Sequence, residues 1–162
     1  MSWSTKLELW CSSLLLLMLV APAAAGPARS TPPPQWRGEW LITRDLGAPG
    51  ISAMTDRQAH RMIGAKIVIE PAYARFSDDI CKDVGYAVNV QKTQDFLLGY
   101  NITSMQLPLV GDEVRTLEVS CGGAPFHDLS ALRTGCVILV WDGRFFEAQR
   151  RGSNGRSPRC LI

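Results

Sequence analysis

Past residue 36 the chain is patterned for strands, with apolar and polar positions exchanging every residue in short runs bounded by turn formers. From Val114 to Cys121, Arg115, Leu117, Val119 and Cys121 alternate with Thr116, Glu118 and Ser120, which predicts a strand with one face on a core. Further along, Cys136–Trp141 and Arg144–Arg150 are β-rich runs separated only by Asp142-Gly143, the signature of a type I′ hairpin. Earlier strands are predicted at Trp40–Arg44, Ile67–Ile69, Tyr73–Phe76 and Tyr86–Val90, with Pro71 and Ser77-Asp78-Asp79 as breaks. Tyr100–Leu107 is read as a further strand, Phe96–Leu98 fits a helical turn or a strand, and Ala124–Asp128 is read as a loop.

One segment breaks the period of two. Thr55 followed three residues later by Gln58 is a capping box, Asp56 suits the positive end of a helix, and Gly64 offers a left-handed stop. A helix is therefore expected over 56–63, with Ala59, Met62 and Ile63 as its buried stripe and Arg57, His60 and Arg61 away from it or at its edge. Six to eight short strands with a helix after the first define a mainly β fold, a small antiparallel barrel or strongly curved sheet.

The chain ahead of this domain has another character. Lys6 leads into Leu14–Val20, which holds only Leu, Met and Val, and Ala21-Pro22-Ala23-Ala24-Ala25 follows. That order suits a signal peptide over 1–25 cleaved after Ala25, and the apolar run is short of the ~20 residues a spanning helix needs, so no membrane span is expected after cleavage. Residues 26–35, GPARSTPPPQ, read as an extended Pro-rich spacer, 36–150 as the domain, and 151–162 as a polar, Arg-rich tail.

Cysteine usage agrees with export. With Cys11 in the leader, Cys81, Cys121, Cys136 and Cys160 are an even set, and two disulfides are the expectation in an oxidising space, periplasmic or extracellular. No C-x-x-C pair or ligand-like spacing with His60 or His127 points to a metal, and no cofactor motif is present. Four cysteines allow three pairings; the strand-like settings of Cys81 and Cys121 favour joining those two, with Cys136–Cys160 fastening the tail.

Composition adds little that is special: 162 residues, 46% apolar, 20% charged, net charge +2. The 17 basic and 15 acidic residues are interspersed, without the positive field that nucleic-acid binding requires. No catalytic constellation stands out. His127, Asp128 and Ser130 are sequence neighbours, and a hydrolytic triad is assembled from distant segments instead.

Arg37-Gly38-Glu39-Trp40 resembles the G-x-W signature on the first strand of lipocalins and related calycin barrels. The resemblance implies that Gly38, Trp40 and a basic residue of the last strand, here Arg150, are structural, closing one end of the barrel. The layout is also similar to small exported bacterial domains with a helix and paired cysteines. The helix between the first two strands departs from the calycin plan, in which the helix follows the last strand. The function expected is a monomeric, non-enzymatic binding protein that holds a small apolar ligand in a cavity lined by Phe76, Tyr86 and Leu117, or presents its loops to an envelope protein. An inhibitor of an exported hydrolase, docking around Phe126, is one alternative. A hydrolytic enzyme using His127 is the other.

Overall fold

A computed structural model describes residues 31–102, 107–133, 135–152 and 160. The expected leader, the first half of the spacer and most of the tail lie outside the described residues. The fold is a curled, nine-stranded antiparallel sheet in the order β4-β3-β2-β1-β9-β8-β7-β6-β5, a half-barrel. In chain order the elements are Gly38–Gly47 (β1), Asp56–Met62 (α1), Lys66–Glu70 (β2), Tyr73–Phe76 (β3), Asp79–Cys81 (β4), Val84–Lys92 (β5), Thr93–Gly99 (α2), Glu113–Cys121 (β6), Ala124–Arg133 (β7), Cys136–Trp141 (β8) and Arg144–Arg150 (β9).

Local chemistry explains the best-defined parts. Thr55 Oγ1 accepts from the Gln58 amide while Gln58 Oε1 accepts from the Thr55 amide, the reciprocal cap that starts α1. Ile63 is extended at the C-cap, so of the expected stripe only Ala59 is fully buried, Met62 is partly so, and Ile63 faces solvent. Asp142 and Gly143 both have positive φ, 50° and 77°, and join β8 to β9 as the type I′ turn demands.

Three stretches differ from the sequence expectation. Ala124–Asp128 belongs to β7 and is not a loop: Gly122 and Gly123, with φ of 58° and 83°, form the turn from β6. The ladder runs Val119↔His127 and Ser120↔Pro125, which leaves Phe126 as an unpaired bulge residue beside a proline that has no amide to give. Residues 93–99 form α2, burying Phe96 and Leu97, and Tyr100, Asn101 and Ile102 are not strand; the described part of the expected strand 100–107 is turn and irregular chain. The last expected spacer residues join the fold, because Pro32 is buried and its carbonyl accepts from Arg37 Nε at 2.7 Å.

Apolar side chains occupy both faces of the middle of the sheet. The concave side holds Trp40, Ile42, Ile67, Phe76, Leu117, Leu129, Leu139 and Phe146, with Met54 and Ala59 brought in around α1. On the convex side, Ile138 of β8 and Phe145 of β9 pack under Phe96 and Leu97 of α2, Leu107 and Cys160. Strands β8 and β9 are thus covered on two sides, which accounts for their nearly unbroken burial.

The edges β4 and β5 are not paired to each other; side chains fasten the gap. Cys81 of β4 bonds Cys121 at the end of β6, next to the β5 edge. From β5, the Tyr86 hydroxyl reaches the carbonyl oxygens of Glu70 (2.7 Å) and Tyr73 (3.1 Å) at the β2–β3 turn. Burial pushes that phenol's pKa up to about 12. The second bond, Cys136–Cys160, holds a tail residue against the convex core. Two such bonds suit an oxidising environment.

Candidate functional site

One end of the curl is plugged. Residues 33–36 turn beneath it, Trp36 is buried, and its carbonyl accepts from Trp40 Nε1 at 3.0 Å. The Arg150 guanidinium lies 4.7 Å from the Trp40 ring centroid, hydrogen-bonds the Gln35 carbonyl, and is made less basic by burial. Trp40 and Arg150 are direct partners in the β1–β9 ladder, and Gly38 starts β1 at φ 112°. Next to them, Arg151 of the tail pairs with Glu39 at 2.8 Å. These contacts are internal to the fold and tie the end of β9 to the start of β1 and the segment before it.

The other end, where β1 finishes and α1 begins, carries the functional candidates. Arg144 opens β9 with a bidentate contact to Asp45 (2.9 and 2.7 Å) and a third bond to Asp56 of α1 (2.8 Å). This triad pins the helix over the end of the sheet, raises the arginine's basicity and holds the Asp45 carboxyl below its usual range. Beside it four rings gather. The His127 imidazole centroid is 4.3 Å from Phe76, 4.6 Å from Phe126 and 4.4 Å from Trp141. Phe76 is wholly buried, whereas Phe126, His127 and Trp141 are partly buried. The β7 bulge turns Phe126 into this cluster, and the alternation Val137, Leu139, Trp141 brings the indole to the same concave face.

The loop after β1 completes this rim. Ser52 Oγ and the Ala53 amide both donate to the Asp142 carbonyl (2.8 and 3.0 Å), which fixes the loop to the β8–β9 turn and leaves Ile51 entirely in solvent. Burial makes His127 less basic than usual, against the opposing fields of Asp79 and Asp142. A neutral imidazole among rings is a packing and contact group. The groups stacked on it are rings, and the two carboxylates that act on it, Asp79 and Asp142, do so through their fields.

Sequence neighbours of His127 point elsewhere. Asp128 alternates onto the convex face, where burial first and the cross-strand neighbourhood of Glu118 second raise its pKa. Ser130 is also convex and is hydrogen-bonded to Thr116 at 2.9 Å. Phe76, Tyr86 and Leu117 are all buried core side chains of the concave cluster. No group of three or more metal-ligating side chains occurs among the described residues, and none of their helices is long and apolar enough to cross a membrane. Phe126 was within reach of the sequence; Trp141 was not, because only the ladder Asp128↔Val140 sets it beside His127.

The chain was compared with models of protein families, with curated proteins and with solved structures, and nothing matches it.

Proposed function

We propose that this is an exported, non-enzymatic binding protein, delivered by cleavage after Ala25, that engages another protein through the rim formed by Ile51, Phe126, His127 and Trp141. One observation carries the reading. The concave face is lined by buried core side chains, whereas Phe126, His127 and Trp141 at the α1 end are only partly buried, on the rim where the loop after β1 carries a fully exposed isoleucine. Large apolar and aromatic groups held in place by a rigid sheet are what interface hot spots are made of. A lipocalin-like small-ligand role has less to support it, since the side chains expected to line its cavity all belong to the buried core cluster. Inhibition of an exported hydrolase is a special case of the same docking and uses the same residues.

The test is capture of a partner by the oxidised protein from the envelope or secreted fraction of its source, repeated with Trp141→Ala and Phe126→Ala. A hot-spot truncation costs at least about 2 kcal/mol, roughly thirtyfold in affinity, so capture should fail while each variant still melts cooperatively well above the assay temperature. Undiminished capture by both variants would end the reading.

A further inference from the structure

We propose that the rim accepts a cationic side chain, an arginine or lysine borne on an exposed segment of the partner protein. The inference rests on the docking role proposed above and adds the chemistry of what docks. It is carried by the placement of two carboxylates around the rings. Asp79 is the direct cross-strand partner of Phe76, so its side chain lies on the same concave face as the ring that stacks on His127. Asp142 follows Trp141 at the β8–β9 turn. Both aspartates are exposed, and neither forms an ion pair among the described residues. The aromatic cluster is therefore flanked by negative charge supplied from two separate hairpins.

The neighbouring strong cation is already engaged: Arg144 is held by Asp45 and Asp56 and does not neutralise this pair. Burial makes His127 less ready than an ordinary histidine to supply a compensating positive charge. Ring faces carry negative potential and attract a guanidinium or ammonium, while the partly buried Trp141 indole gives the aliphatic stem of such a side chain an apolar surface. An anionic or purely aliphatic group gains nothing from the two carboxylates. The site thus combines the two elements that recognise a long cationic side chain, a π surface and a pair of acids at its margin.

The experiment uses the oxidised protein and three blocked tripeptides, Gly-Arg-Gly, Gly-Lys-Gly and Gly-Leu-Gly, with NMR detection of the Trp141 indole and His127 ring signals. The arginine and lysine peptides should shift both signals saturably, more weakly as salt rises, and the D79N/D142N variant should weaken them on the order of five- to tenfold with its fold intact. Equal shifts with the leucine peptide, or no loss in that variant, overturn the cationic inference and leave an apolar docking rim. The inference falls in the same way if no peptide shifts the two signals while Trp141→Ala still abolishes capture of the partner. Capture that survives Trp141→Ala instead removes the docking role itself.

Discussion

Because Cys81 and Cys121 join one edge strand to the neighbour of the other, their replacement measures what holds the curl shut. The double variant C81A/C121A removes the bond without burying a hydroxyl where the wholly buried Cys81 sulfur sat. The bridge spans a sequence separation of 40, for which loop-closure entropy gives about 4 kcal/mol at 25 °C. The Cys136–Cys160 bridge, with a separation of 24, gives about 3.5 kcal/mol by the same relation. Either is a large share of the roughly 5–15 kcal/mol that a domain possesses. Urea unfolding followed by tryptophan fluorescence should show a loss of about 3–5 kcal/mol. Its slope should steepen, because an uncrosslinked denatured chain exposes more surface. A loss under about 1 kcal/mol with an unchanged slope would mean that the bond does not constrain the sheet, and the reasoning about the gap would fail.

Two further perturbations read other parts of the molecule. Gly143→Ala places a Cβ 2.8 Å from the Ile51 carbonyl at φ 77°, whereas Gly123→Ala at φ 83° meets nothing within 4 Å; thermal melts should show about 1 kcal/mol lost at Gly123 and 2–3 kcal/mol at Gly143, and equal losses would refute the contact between loop and turn. His127 has a folded pKa below its ordinary 6.5, so the unfolded chain takes up the proton first and stability declines as pH falls from above 6.5 through the folded value. His127→Phe should flatten that part of the profile in urea midpoints measured between pH 7 and 5, and parallel profiles for the two proteins would contradict it.

What the sequence disclosed was whatever is encoded locally. The capping pair Thr55 and Gln58 marked the start of α1, and Asp142-Gly143 between two β-rich runs marked the last hairpin to the residue. The favoured cysteine pairing was legible because Cys81 and Cys121 both sat in stretches patterned as strands. Elements that depend on partners were harder to read. Pro125 and the two glycines before it disguised the start of β7, whose ladder tolerates the proline only through a bulge. The short α2 has no side-chain cap at Lys92 and owes its burial to the convex face of β8 and β9, so its own seven residues gave an ambiguous signal. The rim was half visible: Phe126 was singled out, but bringing it together with His127, Phe76 and Trp141 takes a register across several strands.

The gap between β4 and β5 also bears on how the protein breathes. A sheet hydrogen-bonded all the way round can admit solvent to its centre only by breaking a ladder. Here the Cys81–Cys121 bond and the Tyr86 hydroxyl bridge the two edges, and neither is a rung of the sheet. Opening along that gap would break side-chain contacts and no ladder hydrogen bond, so amide hydrogens of the edge strands β4 and β5 should exchange before those of the doubly covered β8–β9 hairpin.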